Sequence, residues 1–186
     1  MKRNVLSRVL AIALLVTAGT AGAATSSNAG PKTDADLERQ IRHEILMYPR
    51  YTIWDDISFR VRNGQVELLG AVNQPFKKAD IARIVQRIPG VTSVTDQVRV
   101  LPLSNFDDRL RLQVARAIYG DPVLNRYALQ AVGPIHIIVE NGRITLTGVV
   151  NNEMEKNVAG IRANGAGLSF GQVVNNLRVE NPARKG

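Results

Sequence analysis

The residues able to do chemistry are few. The chain has two histidines, His43 and His136, and no cysteine. A metal site needs several such ligands clustered at suitable spacing, so both histidines read as surface or satisfied residues. Asp55-Asp56 and Asp107-Asp108 are the paired carboxylates. The second pair stands at a predicted helix start, where carboxylates complement the dipole and cap free N–H groups. Gly165-x-Gly167 falls at the end of a predicted helix, whereas a phosphate loop stands at the beginning of one, and no nucleophile elbow or dinucleotide fingerprint occurs. The expectation is a non-catalytic protein with no catalytic residue, metal ligand or cofactor.

Charge points away from nucleic acid. Residues 36–102 hold ten Lys or Arg against eight Asp or Glu, and residues 106–181 hold eight against seven. The formal +8 therefore sits largely outside these two stretches. Tyr51, Trp54 and Tyr127 are expected to pack loops beside the hairpins.

The N-terminus carries Lys2, Arg3 and Arg8, an apolar run from Val9 to Val16, and Ala21-Gly22-Ala23. This is the pattern of a cleavable secretory signal. The alternative is a retained anchor, but the run is much shorter than the roughly 20 residues that cross a bilayer. Export with cleavage at residue 23 predicts a periplasmic or secreted protein, with no cysteine to carry a lipid. Residues 24–34, rich in Ser, Ala, Gly and Asn, are expected to be a disordered leader.

An internal repeat organises the rest. Asn63, Gly64, Gln65, Val66, Glu67, Leu68, Leu69, Gly70 returns as Asn141, Gly142, Arg143, Ile144, Thr145, Leu146, Thr147, Gly148, 78 residues on. Asp96 to Val100 recurs as Asn175 to Val179 at 79, and Gln40, Ile41, Ile45 as Gln113, Val114, Ile118 at 73. Two long copies mean tandem modules, since a solenoid needs three or more units. The modules are placed at 35–102 and 106–182, with a linker at 103–105 and a basic tail at 183–186.

Periodicity orders the elements within a copy. Leu37, Ile41, Ile45 and Leu110, Val114, Ala117, Ile118 recur at helical spacing. Alternating Ile57, Phe59, Val61 and Ile135, Ile137, Val139 lead into Asn63-Gly64 and Asn141-Gly142, which supply the positive φ angles of a type I′ turn. A second helix carries Phe76, Ile81, Ile84, Val85, Ile88 in one copy and Met154, Val158, Ile161 in the other. A last strand takes Val91, Val94, Val98, Val100, and in the second copy Phe170, Val173, Leu177, Val179. The expected fold is α+β, two tandem αββαβ modules. Each is a three-stranded mixed sheet with both helices on one face and the other face free to pack module on module.

These residues resemble the BON domain family. The resemblance rests on the Asn-Gly turn, the Val66-x-Leu68-x-Gly70 and Ile144-x-Leu146-x-Gly148 strands, Val72 and Val150, Pro89-Gly90-Val91 and Asn175-Asn176-Leu177-x-Val179. It implies a non-catalytic module that binds membranes or envelope proteins, similar to periplasmic osmotic-stress and outer-membrane-integrity proteins. In dual-module relatives the first helix of the second module contacts anionic phospholipid. The second copy departs from the pattern, with Leu168-Ser169-Phe170 in place of Pro-Gly-Val.

One difference between the copies bears on function. With Leu110, Val114 and Ala117 inward, Arg109, Leu112, Arg116 and Tyr119 lie on the opposite helix face. The first copy has Asp36, Arg39, His43 and Leu46 there, an ordinary solvated face. Apolar groups between arginines suit an anionic membrane interface, and suit an acidic envelope protein equally. The competing reading folds Tyr119 back onto the loop after it. The leading expectation is phospholipid binding in support of envelope integrity under osmotic or envelope stress. The runner-up is a soluble stress protein that protects or scaffolds envelope proteins.

Overall fold

The computed structural model describes residues 32–167, 171 and 173–180. The expected signal, the leader through residue 31, the tail and the Leu168-Ser169-Phe170 departure lie outside the described residues. The first module runs α1 (Asp34–Met47), β1 (Asp56–Arg62), β2 (Gln65–Val72), α2 (Pro75–Gln86), β3 (Ser93–Asp96) and β4 (Arg99–Val100). The second runs α3 (Asn105–Tyr119), a short 3-10 helix (Asn125–Leu129), β5 (Ile135–Glu140), β6 (Arg143–Val150), α4 (Glu153–Gly165), β7 (Val174–Asn175) and β8 (Arg178–Val179). The fold is the expected α+β pair of modules. Two boundaries move: Thr33 caps α1 and Asp34 opens it, so both belong to the module and not to the leader, and Ser104 and Asn105 of the expected linker cap and open α3.

Each hairpin is antiparallel and each last strand returns parallel to its middle strand. That last strand is broken in two without a change of register. At the break the Asp96 carboxylate accepts from the Val98 N–H at 2.9 Å, and Asn175 does the same for Leu177 at 3.3 Å. The local turn drives Val98 and Leu177 into their cores, where both are buried.

The Asn-Gly turns have the positive φ values that type I′ geometry requires, 51° and 76° at Asn63 and Gly64, 52° and 74° at Asn141 and Gly142. Asp107 has a different task from the expected cap. The cap is Ser104, whose hydroxyl accepts from the Asp107 N–H, and the Asp107 carboxylate instead accepts the Asn141 and Gly142 N–H groups at 2.9 and 2.8 Å. Asp34 holds the first turn the same way, at 2.7 and 3.0 Å. One carboxylate thus ties each first helix to its hairpin. Downstream, Gly148 at φ 110° has no room for a side chain, because a Cβ there would sit 1.9 Å from the Pro134 carbonyl oxygen.

The stripes on α1 and α3 are buried as read, apart from half-buried Ala117. On α4 the phase differs: Glu155, Ala159 and Ala163 face inward, while Met154 and Ile161 are 58% and 68% exposed. Buried Glu155 sets that phase. Its carboxylate takes the Tyr127 hydroxyl at 2.6 Å, the Asn151 N–H at 3.0 Å and the Arg126 guanidinium. Burial opposes its ionisation, but these hydrogen bonds and the Arg126 charge outweigh it and hold the carboxyl below its usual range. The repeat-equivalent residue is Lys77, of opposite charge, which meets buried Asp55 at 2.6 Å. Asp55 also accepts from Thr52 and from the Asn73 N–H.

The modules pack through their loops and open sheet faces. Ile53 and Trp54 of the first module lie against the core of the second, and Val132 of the second lies against the core of the first. The Ile137 N–H donates to the Ile53 carbonyl at 2.7 Å, which covers part of the β5 edge. Ile135, Ile137 and Val139 are buried in the second module's own core, and the contact between modules buries His136 and Ile138 on the other face, so all of Ile135 to Val139 is buried. Ile138 meets Ala71 and Leu101, and Arg99 pairs with Glu140 at 2.8 Å on the rim.

His136 belongs to this contact, its ring tilted 43° against that of Tyr51 with centroids 5.4 Å apart. Burial lowers its pKa, against the opposing influence of Asp56, of backbone hydrogen bonding to Asp55 and Thr52, and of the Asp55 charge.

Two outcomes follow from this packing. Asp107→Ala strands two backbone donors, and urea denaturation should show a loss of about 2–4 kcal/mol, with a smaller loss for Asp34→Ala at its more exposed turn. The unfolded chain protonates His136 below about pH 6.5 while the folded chain resists, so stability should fall as pH drops through that value. Urea midpoints at pH 7.5, 6.5 and 5.5 should show a smaller drop in His136→Gln; an equal drop would remove His136 as the cause.

Candidate functional site

α3 positions the residues singled out in sequence. Ser104 caps its start, Asp107 and Asp108 stand in its first turn and Arg116 in its last. Leu110, Val114 and Ile118 are buried against the sheet. The opposite face presents Arg109, Leu112 and Arg116 to solvent, and Leu112 is 50% exposed. Among the described residues neither arginine makes an ion pair. By contrast Arg111, Arg126 and Arg162 are paired with Asp108, Glu155 and Asp121.

Tyr119 does not join that face. Its hydroxyl donates to the Ile135 carbonyl at 2.6 Å, and its ring closes over Gly133, where a Cβ would lie 2.3 Å from the phenol oxygen. Burial raises its pKa. The chain turns after Tyr119 at Gly120 and returns at Gly133-Pro134-Ile135, so the last side chain of the helix meets the returning strand. The Gly133-Pro134 pair in front of β5 is the sequence signal for this contact.

The matching face of α1 is electrically quieter. Arg39 pairs with Asp36, and exposed Leu46 borders the cleft between the modules. His43 is exposed and far from chemistry, whereas His136 is buried at the module contact. The predicted aromatics pack loops: Tyr51 and Tyr127 are buried, and Trp54 reaches across to the other module's core. Sequence reasoning missed the turn-holding roles of Asp34 and Asp107, although their spacing of 73 equals that of the first helices. It also missed the inversion of charge between Lys77 and Glu155, which stand at the hairpin spacing of 78. No helix among the described residues is long and apolar enough to cross a membrane.

Comparison with curated proteins found no match. Among the solved structures that the chain is similar to are two of CdsD, a structural protein of the type III secretion system of Chlamydia trachomatis. The C-terminal domain shares 20% identity over 80% of this chain and 67% of that one, with a TM-score of 0.31. The second shares 21% over 81% and 95%, with a TM-score of 0.28. The family model of the BON domain matches twice, over residues 33–102 and 107–181. With both matches coinciding with the two αββαβ modules, the chain belongs to the BON domain family as a tandem pair.

Proposed function

We propose that this protein is a non-catalytic, periplasmic member of the family that docks reversibly on anionic phospholipid through the outer face of α3 and supports envelope integrity under osmotic or envelope stress. The observation carrying this reading is exposed Leu112 between Arg109 and Arg116, two cations with no carboxylate partner among the described residues. Leucine enters the boundary between headgroups and acyl chains while guanidinium groups meet phosphate oxygens. Family membership supports the coarser part, an envelope-associated protein of the stress type. The module contact supports it too, since it uses β5 and the loops and leaves this face of α3 in solvent. Tyr119 serves as a brace for the end of α3.

Exposed Met154 and Ile161 on α4 favour a second reading, a soluble stress protein that holds partly unfolded envelope clients.

Co-sedimentation with phosphatidylcholine vesicles, with and without phosphatidylserine, separates the two. Binding is expected only to the anionic vesicles and should weaken with salt. Arg109→Ser and Arg116→Ser should each lower it about fivefold, in line with about 1 kcal/mol per basic residue at such a surface. Leu112→Ser should lower it as well, with circular dichroism unchanged, and Tyr119→Phe should not. Binding indifferent to all three face substitutions would sink the α3 assignment. No vesicle binding together with suppression of a client's aggregation would favour the second reading.

A further inference from the structure

The contact between the modules encloses more than packing. Between them lies a cavity of about 450 Å³, lined from both sides, a size within the usual range of small-molecule sites. His136 and Thr147 are register partners on β5 and β6, so their side chains stand next to each other on the sheet face turned toward the first module. Both line the cavity. The His136 Nδ1 and the Thr147 Oγ1 are shielded from water and have no hydrogen-bond partner among the described residues, and His136 as a whole is only 9% exposed. Buried polar atoms are otherwise nearly always paired, so two orphans on neighbouring side chains that line one cavity mark a place where a side-chain rotation toward the cavity would let a ligand bond.

Charge narrows the class. Arg42 of the first module and Arg178 of the second line the same cavity, and neither is in an ion pair among the described residues. The Arg42 guanidinium lies 5.6 Å from the centre of the Phe59 ring, which orients it without neutralising it. Against two cations the lining has one carboxylate, Asp56. The arginines call for an anion. The Asp56 carboxylate calls for a hydrogen-bond donor, which a simple anion lacks and a hydroxyl supplies.

We propose that the cleft between the two modules binds a small hydroxylated anion, its acidic group held between Arg42 and Arg178 and its hydroxyl shared by His136 and Thr147. The site is separate from the outer face of α3 and does not depend on that face binding lipid. It joins residues of both modules, so its occupant would also bridge them.

Calorimetric titration of the purified protein with glycerol 3-phosphate tests this, with inorganic phosphate and glycerol as the two halves of the ligand. One saturable site is expected for glycerol 3-phosphate, about tenfold tighter than for phosphate, with no measurable binding of glycerol. Arg178→Ala should weaken binding about tenfold, as loss of a charge-assisted contact. Thr147→Val should weaken it less, and Leu112→Ser should leave it unchanged. In wild-type protein, amide resonances of Thr147 and its neighbours should shift on titration, a readout independent of any variant's folding. A free metabolite and a lipid headgroup share this chemistry. Arg178→Ala with unaltered vesicle co-sedimentation assigns the soluble source, and its loss assigns the headgroup. Absence of both saturable heat and amide shifts with glycerol 3-phosphate, or equal affinity for inorganic phosphate, would overturn the proposal.

Discussion

Asp55 and Lys77 meet at 2.6 Å with almost no exposure to water. Losing either partner would leave an uncompensated buried charge, a change that generally costs about 3–5 kcal/mol. The pair fixes more than its own two side chains. Asp55 also takes the Thr52 and Asn73 N–H groups, so the loop from Tyr48 to Asp55 is fastened to the start of α2 and to the end of β2. Ile53 and Trp54 ride on that loop into the core of the second module, and the Ile53 carbonyl caps the open edge of β5. The placement of one module on the other follows from this anchored loop.

The second module solves the same local problem with the charges exchanged. Its longer loop is fastened by Glu155 at the position of Lys77, reaching Tyr127 and Arg126, and the N–H equivalent to that of Asn73 is satisfied by the Tyr127 hydroxyl and the Glu155 carboxylate. Each copy needs a bonded partner for the same buried backbone donor, because an unpaired one is costly whatever surrounds it. The carboxylate that supplies the bond can stand on the loop or on the helix. The repeat therefore preserves the requirement and not the residue.

Packing β5 and its neighbours against the first module divides the surface of the second. The face of the sheet bearing His136 and Ile138 is covered, and its polar side chains become the wall of a cleft. The outer face of α3 stays in water, its two arginines without an ion-pair partner among the described residues. A lipid surface and a small anion would thus meet different faces of the same module, one turned outward and one lining the cleft.

The modules, their element order and their turns were legible because each rests on local rules: helical spacing, strand alternation, and the positive φ that Asn-Gly accepts. Arg109, Leu112 and Arg116 were legible for the same reason, since a helix fixes which residues share a face. Tyr119 and the α4 stripe were not. Tyr119 sits on the solvent side by angle, but the chain returns beside it and offers the Ile135 carbonyl. Met154 and Ile161 look like a buried stripe until the Glu155 carboxylate turns the helix to reach Tyr127. The cleft was wholly illegible, because His136 and Asp56 come from different modules and meet only once the loop carrying Ile53 is pinned. Sequence by itself determined the two αββαβ units and the amphipathic faces of their first helices, through interactions within a few residues of one another. Tertiary structure alone decided which faces are covered and where buried polar atoms are left to bond, because both depend on contacts between residues far apart in the chain.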